Sequence, residues 1–97
     1  MDPTLIRKKL IETLVRIQVD SGLPCPPIVG GTKPIGELEK FDSKIWPVAT
    51  GMLATAIGVE IPVNINIFRI RGTKTPMTID ETVTLVCKLT TTQAVAA

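Results

Sequence analysis

Histidine and tyrosine are both absent from this chain, and its aromatic residues are Trp46, Phe41 and Phe68 alone. Without histidine, neither a Ser-His-Asp nor a Cys-His catalytic arrangement can be assembled, and imidazole-containing zinc sites are excluded. Three aromatics leave little material for base-stacking platforms, so no nucleic-acid partner is expected. The two cysteines, Cys25 and Cys87, form no C-x-x-C pair and are too few for a disulfide scaffold. Two reduced thiols in a cytoplasmic protein are predicted. No apolar run approaches the roughly 18 to 20 residues of a membrane span. The opening MDPTLIRKK lacks the basic-then-apolar order of a signal peptide. Most hydrolytic chemistry, imidazole-containing metal sites and membrane association are therefore not expected.

With 97 residues, 44% of them hydrophobic and 21% charged, the chain can bury one core and has no room for a second domain. Its net charge of +2 is too small to imply a polyanionic partner. Within residues 3–20, Ile6, Leu10, Leu14 and Ile17 recur at helical spacing between charged residues. Asp2 is placed to cap this helix, Pro3 suits its first position and Gly22 its stop. Residues 21–40 carry enough proline and glycine to break any period, which predicts a long ordered loop. That loop should pack through Leu23, Ile28, Val29, Ile35 and Leu38.

A second helix is predicted over 43–57. Asp42 would be its cap, Ile45, Val48, Met52, Leu53, Ala56 and Ile57 its apolar face, and Gly58 its end. Pro47 then falls in the second turn and should make the opening irregular. In residues 61–71, Val63, Ile65 and Ile67 alternate with Asn64 and Asn66 in a strand-like pattern. A short helical or irregular segment over 63–71 is the other reading. Thr78 to Glu81 form a capping box, followed by a last helix over 78–89 that buries Ile79, Val83, Val86 and Leu89. Residues 1–89 are read as one domain and 90–97 as a frayed tail.

The stretch GELEKFDSKIWPVATGMLATAIGVEIP places Phe-Asp-Ser at a loop-to-helix junction, then a helix, then Gly-Val-Glu-Ile-Pro. In this order it resembles the acyl carrier protein, or phosphopantetheine-binding, family over roughly residues 3 to 89. The resemblance implies an all-α, acyl-carrier-protein-like small helical bundle with a long loop between helices one and two. It also implies that Ser43 is the attachment point for 4′-phosphopantetheine, on which a substrate travels as a thioester, with Asp42 and Lys44 flanking it. A phosphopantetheinyl transferase and acyl-processing enzymes would be the partners, in fatty acid or polyketide biosynthesis, with Ile45, Trp46, Val48 and Met52 available for docking. A monomer is expected.

This chain departs from the family pattern in two ways. Lys44 stands where the family has an apolar residue after the serine, and residues 43–59 contain one charge and no acid where acids are usual. An unmodified, carrier-like interaction module is therefore a second reading. An unrelated α+β binding domain, with 61–71 and 82–89 paired as strands, is a third. Trp46 suits a packing role as well as a partner contact. Arg69, Arg71 and Lys74 suit a solvated loop or an acidic partner. Gly30-Gly31-Thr32-Lys33 lacks the spacing and the preceding strand of a phosphate loop.

Overall fold

The computed structural model describes residues 2–25, 27–38, 40–41, 44–61, 65–70, 73 and 75–96, with residues 90–96 described for their backbone only. The chain runs through α1 (Pro3–Asp20), a single tight turn α2 (Pro34–Glu37), α3 (Trp46–Ile57) and α4 (Ile79–Ala96). Both α3 and α4 pack on α1.

Sequence dictates this central place. Alongside Ile6, Leu10, Leu14 and Ile17, α1 buries Thr13 and Gln18, a face broad enough to serve two neighbouring helices. Its ends follow the expected chemistry. The Asp2 carboxylate accepts from the Thr4 N–H at 2.9 Å, Pro3 occupies the first turn, and Gly22 takes a left-handed conformation just past the end.

The last helix is capped as its sequence predicts. The Thr78 N–H donates to the Glu81 carboxylate at 3.0 Å, and the Glu81 N–H donates to the Thr78 hydroxyl at 3.1 Å. Beyond this box, α4 continues to Ala96, past the predicted end at 89 and through the segment expected to fray. Thr84 is accommodated because its hydroxyl bonds back along the helix to the Asp80 carbonyl at 3.1 Å, whereas the buried Thr82 hydroxyl has no partner among the described residues. The 82–89 segment is thus helical, which removes the α+β alternative.

No strand occurs among the described residues of 61–71. The Asn66 side chain accepts from the Phe68 N–H at 2.9 Å, which turns the chain and buries both Ile67 and Phe68. The Ile70 N–H then donates to Thr75 and the Met77 N–H to Phe68, at 2.9 and 2.8 Å, leaving an isolated antiparallel bridge. The alternation that suggested a strand ends where the asparagine side chain competes for the backbone. Pro62, Val63 and Asn64 lie outside the described residues.

The long loop is ordered by its contact with α4. The Ile79 N–H donates to the Thr32 carbonyl at 2.8 Å and the Asp80 N–H to the Gly30 carbonyl at 3.0 Å, so the loop supplies acceptors for donors that a helix start leaves unpaired. Gly30-Gly31-Thr32-Lys33 therefore offers carbonyls to a helix rather than amides to a phosphate. Leu38 is buried and Ile28 and Ile35 pack against the core, whereas Val29, expected inside, is 60% exposed because its neighbours turn to meet α4. Phe41, at the far end of the loop, meets Phe68 edge to face with ring centroids 5.0 Å apart.

Gly30 has a steric role. A Cβ there would overlap the Asp80 carboxylate, which is paired with Arg7 of α1 at 2.5 Å. Gly30→Ala is expected to displace that carboxylate and cost about 1 kcal/mol in urea unfolding. The cost should shrink in an Asp80→Ala background, because the two residues share one contact. Equal costs in both backgrounds would show that the clash is relieved elsewhere.

Candidate functional site

The segment leading into α3 is where the sequence concentrates its candidate residues, and α3 begins later than predicted. Its first residue is Trp46, and Ile45 holds the N-cap position without a side-chain cap. Pro47 explains the displacement. Continuing the helix upstream would drive its ring into the Ser43 carbonyl, whereas in the first turn its missing N–H has no intrahelical acceptor to lose. Lys44 and Ile45, expected inside the helix, instead form a turn that leads into it, with Ile45 at φ −95°, ψ −39° in the N-cap position. Asp42 and Ser43 themselves lie outside the described residues. At the other end, Gly58 takes φ +73° and its N–H returns to Ala54 at 2.9 Å, the left-handed stop expected there.

The predicted docking residues separate into two environments. Trp46 is half-buried and packs against the core, consistent with the packing role its position suggested. Ile45 also packs inward and lines a cavity of about 260 Å³ together with Ile17, Gln18, Ser21, Leu23 and Lys40. Val48, expected on the apolar face, is 50% exposed, and Ala56 is exposed as well. Both were assigned inward by a helix phase that the buried residues Ala49, Thr50 and Leu53 correct. The Thr50 hydroxyl can occupy that buried face because it donates to the Trp46 carbonyl at 2.8 Å.

Val48 and Met52, with Pro47, Gly51 and Thr55, form one wall of an open groove of about 700 Å³ whose other wall is the polar side of α1. That second wall carries Lys9 and Glu12, 3.7 Å apart, and Arg16, which reaches Asp20 at 3.6 Å. Its charges are largely matched within α1, so the α3 wall dominates what a partner would meet. Lys44 is exposed at the approach to α3. Arg69 is exposed in its loop, while Arg71 and Lys74 lie outside the described residues. Cys25 and Cys87 are both half-buried, Cys87 against the core.

Sequence reasoning missed the smaller cavity. Gln18 carried a usable signal, since an amide four residues beyond Leu14 falls on the buried face of α1 and is 1% exposed. Lys40 carried none, because the backbone conformation it adopts depends on how Leu38 and Phe41 are buried on either side.

Among the described residues no helix is long and apolar enough to cross a membrane, and no group of three or more His, Cys, Asp or Glu side chains is placed to hold a metal ion. Compared with known proteins, the chain matches no family model, no curated protein and no solved structure.

If the proline ring sets the start of α3, Pro47→Ala should let the helix grow toward Asp42 while changing stability by less than about 1 kcal/mol. Backbone chemical shifts of Lys44 would move to helical values. Unchanged shifts at Lys44 would assign the boundary to another constraint.

Proposed function

We propose that the chain is a carrier protein, bearing a substrate as a thioester on a phosphopantetheine arm at Ser43 and presenting it to separate enzymes. The observation that carries this reading is the order of packed elements: a long first helix, a long ordered loop, α3 opening just after Asp42-Ser43, and a capped last helix, with α3 and α4 both resting on α1. An acyl-carrier-like helical bundle is the finer description of the fold that this order supports.

The residues that follow Ser43 in the chain suit an arm. Ile45 provides no side-chain cap, so the first N–H groups of α3 remain suited to an anion, and the exposed Lys44 adds a positive charge next to the attachment point. When attached, the arm supplies a thiol for the acyl group. The chain contributes the Ser43 hydroxyl, the positive potential beside it, and the uncharged wall of Val48 and Met52 on which an acyl-processing enzyme would dock.

A second reading, the unmodified interaction module, is favoured by the late start of α3. The helix opens at Trp46, three residues after Ser43 in the chain, and helix-terminal fields fall off within about one turn.

Incubation with coenzyme A and a broad-specificity phosphopantetheinyl transferase separates the two readings. Intact mass should rise by one phosphopantetheinyl group, and Ser43→Ala should abolish the gain while keeping a native circular dichroism spectrum. Lys44→Leu should speed loading by restoring an apolar contact. If several transferases leave the wild-type chain unmodified yet load Lys44→Leu, the natural chain is an interaction module on a carrier-like fold. Loading of neither removes the carrier reading.

A further inference from the structure

We propose that the cavity at the C-terminal end of α1 is a binding site for a short aliphatic carboxylate, with its chain among Ile17, Leu23 and Ile45 and its carboxylate on Lys40. The site is independent of Ser43 and of the carrier reading.

Two observations converge on it. The cavity, of about 260 Å³, lies between the end of α1, the start of the long loop and the approach to α3. At the ~30 Å³ that one water takes in the liquid, this is room for about eight or nine heavy atoms, the size of a six-carbon acid. Three aliphatic residues, Ile17, Leu23 and Ile45, make up half of its lining, with Gln18 and Ser21 as polar neighbours, the mixture typical of small-molecule sites.

The second observation is Lys40. It has φ +57°, and it is the positive-φ residue other than glycine among the described residues. The Phe41 N–H closes the turn onto the Leu38 carbonyl at 3.4 Å, so Lys40 occupies the third position of a four-residue turn. With positive φ, that position favours glycine or asparagine. Here it holds an exposed lysine instead, and that residue lies at the edge of the cavity. No acid among the described residues pairs with it. Backbone strain of this kind is retained where a side chain is needed at a given place. An ammonium beside an apolar cavity recognises a ligand with an apolar body and one anionic end.

The alternative role for Lys40 is to complement the negative end of α1, which needs no ligand. Titration of the full chain with sodium hexanoate at matched ionic strength, followed by 1H–15N spectra, distinguishes the two. Saturable shifts should centre on Gln18, Ser21, Leu23, Lys40 and Ile45, with a dissociation constant of about 1 mM or below, as expected for a ligand of this size. Hexanol and hexylammonium should bind at least about tenfold more weakly, and Lys40→Gln should lose about tenfold for hexanoate. Lys40→Gly should melt at a higher temperature than the wild-type chain and bind as weakly as Lys40→Gln. The proposal is overturned if hexanoate gives no saturable shift at ten times that concentration, if hexanol matches it, or if Lys40→Gly binds as well as the wild-type chain.

Discussion

Everything in this fold depends on α1 serving two helices at once. A helix that packs against one neighbour needs a single apolar stripe, whereas α1 buries six residues from Ile6 to Gln18 and forms the surface on which both α3 and α4 rest. The remaining segments must then cross between helices without regular structure. They do so by borrowing partners. The long loop gives its Gly30 and Thr32 carbonyls to α4, and the 65–70 segment turns on its own Asn66 side chain. In each case a backbone group that would otherwise be unpaired finds a partner, on a neighbouring segment in the first and on a side chain of its own segment in the second.

Pro47 applies the same logic to the candidate site. A proline ends a helix in one direction and is harmless in the other, so a single ring separates the approach through Lys44 and Ile45 from the helix proper. Ile45 consequently turns inward to the small cavity while Val48 and Met52 face the groove. Residues that look like one stripe in the sequence are divided between a binding cavity and an outer wall.

What could be read in the sequence follows from how local each cause is. The α1 pattern, its Asp2 cap, the Thr78–Glu81 box and the Gly58 stop are decided within a few residues, and each is found where it was expected. The start of α3 was misplaced because Asp42 is an attractive cap and the proline was counted as a defect rather than as the boundary. The alternation through Ile65 and Ile67 gives way to the irregular segment that is the other expectation for this stretch, because a side-chain hydrogen bond outcompetes a ladder. The exposure of Val29 and the conformation of Lys40 come from tertiary contacts, with α4 in one case and through Leu38 and Phe41 in the other. No periodicity could have revealed them.

The absence of charge on α3 bears on the candidate site in a different way. A helix apolar on every side is ordinarily buried on every side, yet Val48, Gly51, Thr55 and Ala56 are exposed. Small side chains account for much of this tolerance, since glycine, threonine and alanine expose little apolar area each. The remaining exposed apolar surface is concentrated at Val48, with Met52 half-buried beside it in the groove wall. A partner meeting this wall would gain chiefly from removing apolar area from water, with few charges to steer its approach. Such a contact is slow to form compared with a steered one and insensitive to salt, whichever of the two functional readings holds. Any electrostatic contribution must then come from the approach to α3, where Lys44 is exposed, and this separates attraction from grip along the same short stretch of chain.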